Sequence, residues 1–224
     1  MYDTTLIDKI LKRSDAALQW KYFQEAMNDE KVRRKAFYEW VTEDVKAEFI
    51  NGEIVIHSPV KRRHWNANDL LSRLLSFYVS INKLGRIGTE KVIVSLSRND
   101  YEPDLVFFSQ EKVDTFTADQ VLFPAPDFIV EILSPKTAKY DKTIKKDDYA
   151  LHGIPEYWIV DPVKQRVEQY LLLPASNEYF PAKIHQYGET IESQAIKGFK
   201  INVAAIFDET VNLETMQSFI NGKN

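Results

Sequence analysis

Two acidic residues, Glu131 and Asp104, stand among residues that favour burial, which makes them candidates for metal chemistry. Glu131 interrupts the apolar run FIVEIL, a pattern typical of a central strand covered on both faces. An ionised carboxylate buried there must be paired or bound to a cation, or else it must be protonated. Asp104 follows Pro103, which favours extended structure, and precedes the apolar segment LVFF. Taken singly, Glu131 could equally form a buried salt bridge, and Asp104 could be an ordinary strand-start residue.

A metal site explains the two carboxylates together. Asp104 and Glu131 are separated by enough chain for one strand, a loop and a returning strand, so both could reach one cation. The chain has no cysteine, which excludes disulfides and thiolate zinc sites. Carboxylate oxygens suit Mg²⁺ or Mn²⁺, which keep waters that a substrate phosphate can replace. The sequence therefore predicts a magnesium or manganese site.

The predicted helix after Glu131 could supply a cationic side chain to this site. Four of its residues share one face through their spacing of i, i+4, i+8 and i+11: Asp141, Lys145, Tyr149 and His152. A lysine reaching the carboxylates could hold an attacking water or stabilise negative charge in phosphate hydrolysis. Lys145 is the candidate, and the alternative is a solvated helix face in a lysine-rich segment.

The elements that must position these residues alternate between helices and strands. Apolar residues at helical spacing predict helices over 4–46, 66–84, 142–152 and 210–221. The expected caps are Asp141 at an N-terminus and Gly85 and Gly153 at C-termini. Strands are expected at 91–97, 104–109, 127–134, in YWIVDP, in RVEQYLLL and near KIHQYG, and Asn51-Gly52 indicates a β-hairpin. We expect an α/β or α+β domain over 36–224 with an N-terminal helical extension over 1–35.

Charge and composition limit the partners. A formal net charge of −4 over 224 residues argues against nucleic-acid binding through bulk charge, so any contact needs a local patch. The segment VKRRHW offers one through four basic residues: Lys61, Arg62, Arg63 and His64. No apolar run approaches the roughly 20 residues of a membrane helix, and the N-terminus lacks signal-peptide features. We expect a soluble cytoplasmic protein.

The motifs occur in an order that resembles a known family. In chain order they are the Glu48 hairpin, His64 before a long helix, Pro103-Asp104, VEILSP (130–135), Asp141, Lys145, Tyr149 and GIPEYWIVDP (153–162). This order resembles the Uma-type family of restriction endonucleases, formerly a domain of unknown function, in the PD-(D/E)XK nuclease superfamily. The resemblance covers about residues 36–205. GIPEYWIVDP itself is expected to be mainly structural.

The resemblance implies a restriction-endonuclease-like core, a mixed sheet flanked by helices. It implies that Asp104 and Glu131, with the backbone carbonyl of Ile132, hold the cation, and that Glu48 adds a further carboxylate. The superfamily signature has lysine two residues after the glutamate, where this chain has leucine. In this family the lysine has moved to the following helix, which again indicates Lys145.

The implied function is a Mg²⁺- or Mn²⁺-dependent endonuclease that hydrolyses DNA phosphodiester bonds, with a homodimer suited to double-strand cleavage. The four basic residues of VKRRHW would contact phosphates, unless they form an ordinary solvated loop. A competing possibility is an inactive nuclease-fold domain that binds nucleic acid or protein. Leu133 and the acidic balance favour that second function, whereas the set of acids and Lys145 favours the first. An interaction protein built on the N-terminal helices has least support.

Overall fold

Long apolar segments form the strands, and amphipathic segments form the helices that flank them. The computed structural model describes residues 4–42 and 44–222. The helices are α1 (Thr4–Leu11), α2 (Ala16–Trp40), α3 (Arg62–Ile81), α4 (Gln110–Val113), α5 (Ala138–Tyr140), α6 (Lys146–Leu151) and α7 (Glu209–Ile220). A π-helical turn (Asp141–Lys145) joins α5 to α6, and a 3₁₀ turn (Val203–Ile206) precedes α7.

The predicted strands are present, with shorter limits, and the described part of the chain has five further short strands that the sequence did not indicate, at 85–89, 100–101, 122–123, 190–192 and 200–202. They are β1 (Ala47–Ile50), β2 (Glu53–Ile56), β3 (Gly85–Thr89), β4 (Ile93–Ser95), β5 (Asp100–Tyr101), β6 (Leu105–Ser109), β7 (Leu122–Phe123), β8 (Phe128–Ile132), β9 (Glu156–Asp161), β10 (Arg166–Leu171), β11 (Lys183–Gln186), β12 (Thr190–Glu192) and β13 (Lys200–Asn202). The predicted hairpin is confirmed, because Asn51 and Gly52 turn between β1 and β2 with positive φ angles of 51° and 86°.

A six-stranded mixed sheet has the order β11-β10-β9-β8-β6-β3. Its central neighbours β8 and β9 are parallel, and the other adjacent pairs are antiparallel. A parallel pair needs a crossover connection, which the segment from α5 to α6 supplies here. Every residue of β8 and β9 is buried, as their continuous apolar sequence predicts.

Helix α3 covers one face of this sheet. Its apolar stripe, including Leu71, Leu74 and Leu75, belongs to one core with Phe128 and Trp158 of the sheet. Helix α7 and the 3₁₀ turn contribute to the same core. This core fixes α3 against β8, so residues at the start of α3 have defined positions.

The chain forms two compact units. The first contains the described residues up to His57 together with Arg98–Tyr101, and the second contains Ser58–Ser97 and the described residues from Glu102 onward. In the first unit, β1 pairs with β2 and with β5. The second unit contains the six-stranded sheet, the parallel pair of β4 and β7, and the β12–β13 pair. The predicted boundary at residue 35, between the N-terminal helical extension and the α/β domain, stays a prediction.

Three local predictions are wrong. Helix α3 begins at Arg62 rather than 66, so residues 62–65 of the basic segment form its first turn, where charged side chains interrupt the apolar periodicity that indicates a helix. Gly85 is the first residue of β3 and does not cap α3. A glycine is required there, because a Cβ would collide with the carbonyl oxygen of Phe108. Asp141 lies inside a helical segment that starts at Ala138, so it is not an N-cap.

Candidate metal and catalytic site

Asp104 and Glu131 lie on neighbouring antiparallel strands of the second unit. Leu105 of β6 is paired with Val130 of β8, so the residues next to this pair, Asp104 and Glu131, also come together. The backbone N–H of Ile132 donates a hydrogen bond of 2.8 Å to Oδ2 of Asp104. Both carboxylates are buried, with Asp104 4% and Glu131 5% exposed. The structure therefore brings together the two acids that the sequence singled out.

Lys145 reaches Glu131 from the crossover helix. Its Nζ lies 3.0 Å from Oε1 of Glu131 and 3.4 Å from Oδ1 of Asp141, and the residue is only 1% exposed. The hydroxyl of Tyr149 donates to the same Oε1 at 3.1 Å. Of the four residues predicted to share a helix face, Lys145 and Tyr149 thus contact Glu131, and Asp141 contacts Lys145. The fourth, His152, contacts Asp148 and Ser97 instead.

The π-helical turn is a feature that apolar periodicity cannot reveal. It spans Asp141–Lys145, and such turns occur mostly as single insertions, frequently at functional sites. Within it, Asp141 and Lys145 are both buried. Lys142 points away from the cluster and pairs with Glu168 at 2.6 Å. The turn therefore selects which lysine faces the strand acids.

His64 separates from the other basic residues of its segment. It is buried, and its Nε2 lies 3.4 Å from Oδ2 of Asp104. Lys61 directly before α3 and Arg62 and Arg63 in its first turn are exposed. His64 therefore belongs with the carboxylate cluster, and the other three form a solvent-facing basic surface.

Glu90 and Asn68 are neighbours of the cluster that the sequence did not indicate. The Glu90 N–H donates to the backbone oxygen of Asp104 at 3.1 Å. The Glu90 side chain accepts a 3.1 Å hydrogen bond from Asn68, one turn after His64 on α3. Glu90 and Lys91 both have positive φ, at 42° and 54°, a strained conformation for residues with side chains. Consecutive non-glycine residues of this kind give no signal in the sequence.

Buried acidic side chains are concentrated around Lys145. The carboxylates of Asp104, Glu131 and Asp141 are buried, and Lys145 and His64 are buried among them. Burial raises the pKa of the Tyr157 hydroxyl well above its usual value, and the charges of Asp141 and Glu131 raise it further. A cation bound by the strand acids would offset the repulsion between neighbouring carboxylates.

Glu48, the further predicted carboxylate, belongs to the first unit. It is buried on β1, and its Oε2 lies 3.0 Å from Nε2 of His57 in the same unit. Its contribution to a metal site stays a prediction.

Leu133 follows the end of β8 and is partly exposed. The ammonium beside Glu131 comes from the helix, where the family resemblance places it.

The cluster fits an ion held partly through water. Within residues 4–42 and 44–222, no group of three or more His, Asp or Glu side chains is arranged to hold a metal ion. Mg²⁺ commonly binds through one or two carboxylates and completes its shell with waters and substrate phosphates. Asp104 and Glu131 supply two such groups, and Nδ1 of His64 is buried without a hydrogen-bond partner in the described part of the chain. The donor set therefore fits Mg²⁺ or Mn²⁺.

A separate cleft of about 330 Å³ lies on strands β10 to β13 of the second unit. Its lining residues are Gln169, Leu171, Lys183, His185, Thr190, Glu192, Gln194 and Lys200. None of the predicted site residues is among them. The cleft is therefore distinct from the carboxylate cluster.

Comparison with known sequences decides the family. Residues 34–204 match the family model of Uma2, described as "Putative restriction endonuclease". The chain belongs to the Uma2 family. The predicted Uma-type resemblance is confirmed, and the matched segment contains every residue of the cluster around Lys145. The Uma2 description and the nuclease fold support a nuclease in general.

Individual relatives agree with the Uma2 assignment. A crystal structure from Anabaena variabilis ATCC 29413, titled as a "putative nuclease belonging to DUF820", matches with a TM-score of 0.65 and 18% identity. The match covers 76% of this chain and 94% of that chain, and it confirms the predicted restriction-endonuclease-like fold. The Uncharacterized protein sll1609 of Synechocystis sp. is 28% identical over 127 residues, 56% of this chain and 71% of that protein. Among residues 4–42 and 44–222, no helix has the length and apolar character needed to cross a membrane.

Proposed function

We propose that this Uma2 protein is a Mg²⁺- or Mn²⁺-dependent endonuclease that hydrolyses DNA phosphodiester bonds. One observation carries the proposal: Asp104, Glu131 and Lys145, from three separate elements, meet in one buried cluster. Two carboxylates beside a lysine are the groups needed to hold a divalent ion and orient a water for attack on phosphate.

The roles follow from the contacts. Asp104, Glu131 and the carbonyl of Ile132 are the proposed ligands, and a bound ion would lower the pKa of water and neutralise phosphate charge. Lys145, fixed 3.0 Å from Glu131, orients the attacking water and stabilises the additional negative charge of the transition state. The attacking water releases one proton to solvent as its oxygen forms the new P–O bond. The P–O bond to the sugar breaks, and the sugar oxygen takes up one proton from solvent.

The exposed basic turn of α3 is the proposed phosphate contact. Lys61, Arg62 and Arg63 would bind the DNA backbone electrostatically, which carries no sequence information by itself. His64 contacts Asp104, so it positions that carboxylate rather than extending the surface. A homodimer would supply two sites for double-strand cleavage. Analytical ultracentrifugation at micromolar protein concentration measures the oligomeric state.

A plasmid assay tests the hydrolysis. The purified protein should nick supercoiled DNA with Mg²⁺ or Mn²⁺ and should be inactive in EDTA. Asp104→Asn should lower the rate by roughly 100-fold or more, because one ligand loses its charge. Asp119→Asn, at an exposed aspartate, is the matched control and should retain full activity. Equal rates for the two variants would remove Asp104 from the mechanism.

A second candidate is a nuclease-fold domain that binds but does not cut. It is favoured by the contacts that each strand acid already makes with a basic side chain, Lys145 at Glu131 and His64 at Asp104. Isothermal titration with Mn²⁺ separates the two functions. Binding that Asp104→Asn abolishes supports the endonuclease, whereas no binding by the wild-type protein supports the second candidate. Glu48→Gln in the same titration tests whether Glu48 contributes.

A further inference from the structure

We propose that Trp65 stacks on an unpaired base beside the cleavage point, so that the preferred substrate is single-stranded DNA or a duplex containing an unpaired nucleotide. This inference rests on the proposed nuclease function and adds the form of nucleic acid that the site accepts. It depends on the position of Trp65, on the charges around it and on the chemistry of stacking.

Trp65 is a solvent-facing aromatic residue that directly follows His64, a residue of the candidate site. It is 58% exposed on the first turn of α3. The preceding residue, His64, points inward and places Nε2 3.4 Å from Oδ2 of Asp104. Consecutive helical side chains diverge by roughly 100°, so the indole faces solvent next to a residue that contacts the cluster. A nucleotide whose phosphate approaches Asp104 would therefore pass close to the indole.

The segment that carries Trp65 is basic although the protein as a whole is acidic, and the acid one turn further along α3, Asp69, is paired with Arg73. Residues 58–66 include the exposed Lys61, Arg62 and Arg63 and contain no acidic residue, in a chain with net charge −4. Residues 133–140, which follow the strand of Glu131, also contain lysines and no acidic residue. Nζ of Lys136 donates to Oγ of Ser58 at 3.1 Å, which joins these two segments. Both segments that flank the strand acids thus favour a polyanion.

An exposed indole among cationic side chains is suited to unpaired bases. Lysine and arginine follow the phosphate backbone, while the flat aromatic ring stacks on a base without regard to its identity. In an intact duplex the base faces are covered by neighbouring bases, so Trp65 could not reach them without unstacking. The combination therefore favours a strand with at least one exposed base over regular duplex DNA.

Binding measured without hydrolysis tests this preference. The full chain is titrated in EDTA with three 20-nucleotide probes that carry 2-aminopurine: a single strand, a duplex, and a duplex with the 2-aminopurine unpaired. Trp65→Ala should weaken binding of the single strand and of the unpaired-base duplex by roughly 5- to 100-fold, and change duplex binding less than about twofold. Trp65→Phe should recover part of the affinity, because a smaller ring still stacks.

Matched variants separate stacking from charge. Trp20→Ala removes an equally exposed indole, 59% exposed on α2, and should leave all three affinities unchanged. Arg62→Ala should weaken binding of all three probes to a similar degree, because a phosphate contact does not depend on base pairing. Equal losses for Trp65→Ala on all probes, or no loss on any, would overturn the proposal; the second outcome would leave Trp65 as a surface for another protein.

The binding result is independent of cleavage. If the protein shows a Trp65-dependent preference for unpaired bases but cuts no DNA, the proposed endonuclease activity is wrong and the stacking role of Trp65 is supported. Cleavage of intact duplex at the same rate as of single strands, with Trp65→Ala fully active, would keep the nuclease and remove this inference.

Discussion

Lys145 owes its buried position to the carboxylates around it. A buried ammonium must direct its N–H donors to acceptors, and Glu131 and Asp141 lie within 3.0 and 3.4 Å of its Nζ. Tyr149 donates a further hydrogen bond to Glu131. The contacts from Lys145 and Tyr149 both favour the ionised form of the glutamate, so they help to keep a negative charge on Glu131 inside the protein.

Two buried tyrosines test whether Glu131 is charged. Tyr149 donates to its carboxylate at 3.1 Å, whereas Tyr157 donates to the backbone oxygen of Asp141, also at 3.1 Å. Tyr149→Phe should cost about 1.5–3 kcal/mol in the free energy of unfolding, and Tyr157→Phe about 0.5–1.5 kcal/mol, since bonds to charged acceptors contribute more. Urea unfolding measures both. A larger loss for Tyr157→Phe would indicate that Glu131 is protonated.

Strand β9 is held to the segment after β12 by one carboxylate. Glu156 opens β9 and is fully buried. Its two oxygens accept hydrogen bonds of 2.6–2.8 Å from Trp158 Nε1, Gln169 Nε2, Ser193 Oγ, Gln194 N and Ala195 N. The carboxylate thus accepts hydrogen bonds from two strands and a turn. These bonds explain the structural role that is expected for GIPEYWIVDP.

Replacing the Glu156 carboxylate should weaken the attachment of β9 to the segment after β12 and should leave the cluster of Asp104 and Glu131 intact. Glu156→Gln turns one acceptor oxygen into a donor that faces N–H and O–H groups, so we expect a loss of about 2–4 kcal/mol in unfolding free energy. Glu192→Gln, at an exposed position on β12, should change stability by less than about 0.5 kcal/mol. Hydrogen exchange should accelerate at residues 193–196 in Glu156→Gln alone. Unchanged protection there would contradict the proposed attachment.

At the scale of the whole molecule, each compact unit has a buried acid that its neighbours keep ionised. In the first unit, the hydrogen bond from Arg98 lowers the pKa of Glu30 below its usual 4.5, although burial opposes it. In the second, burial raises the pKa of Glu168, but Lys142, Tyr170 and Arg166 outweigh it and the pKa falls below 4.5. Both groups therefore bind protons less readily in the folded protein than in the unfolded chain.

These lowered pKa values predict a loss of stability in acid. A carboxyl with a depressed folded-state pKa contributes its stabilisation above the unfolded pKa, near 4.5, and loses it as the pH falls through the folded value. The double variant Glu30→Gln/Glu168→Gln should therefore show a shallower decline between pH 5 and pH 3 in urea unfolding. Glu53→Gln/Glu178→Gln removes the same number of charges at exposed positions and should keep the wild-type slope. Identical slopes for both double variants would refute the assignment.

The buried strands β8 and β9, the family resemblance and the two strand acids were recognisable from the sequence, whereas β3 was not, because its segment GRIGT has no continuous apolar run. Continuous apolar runs require burial on both faces, so β8 and β9 were recognisable, and one carboxylate inside such a run is conspicuous. The helical spacing of Asp141, Lys145 and Tyr149 likewise predicts a shared face, because that spacing is a local property of the helix.

Which side chains meet depends on the packing of distant segments. The sequence groups His64 with its basic neighbours, yet burial of α3 against β8 turns it toward Asp104 and leaves Trp65 in solvent. The π-helical turn and the positive φ angles of Glu90 and Lys91 depend on contacts with other strands, which local sequence does not encode. Helix and strand periods arise between near neighbours in the chain, whereas the composition of a site depends on how distant segments pack.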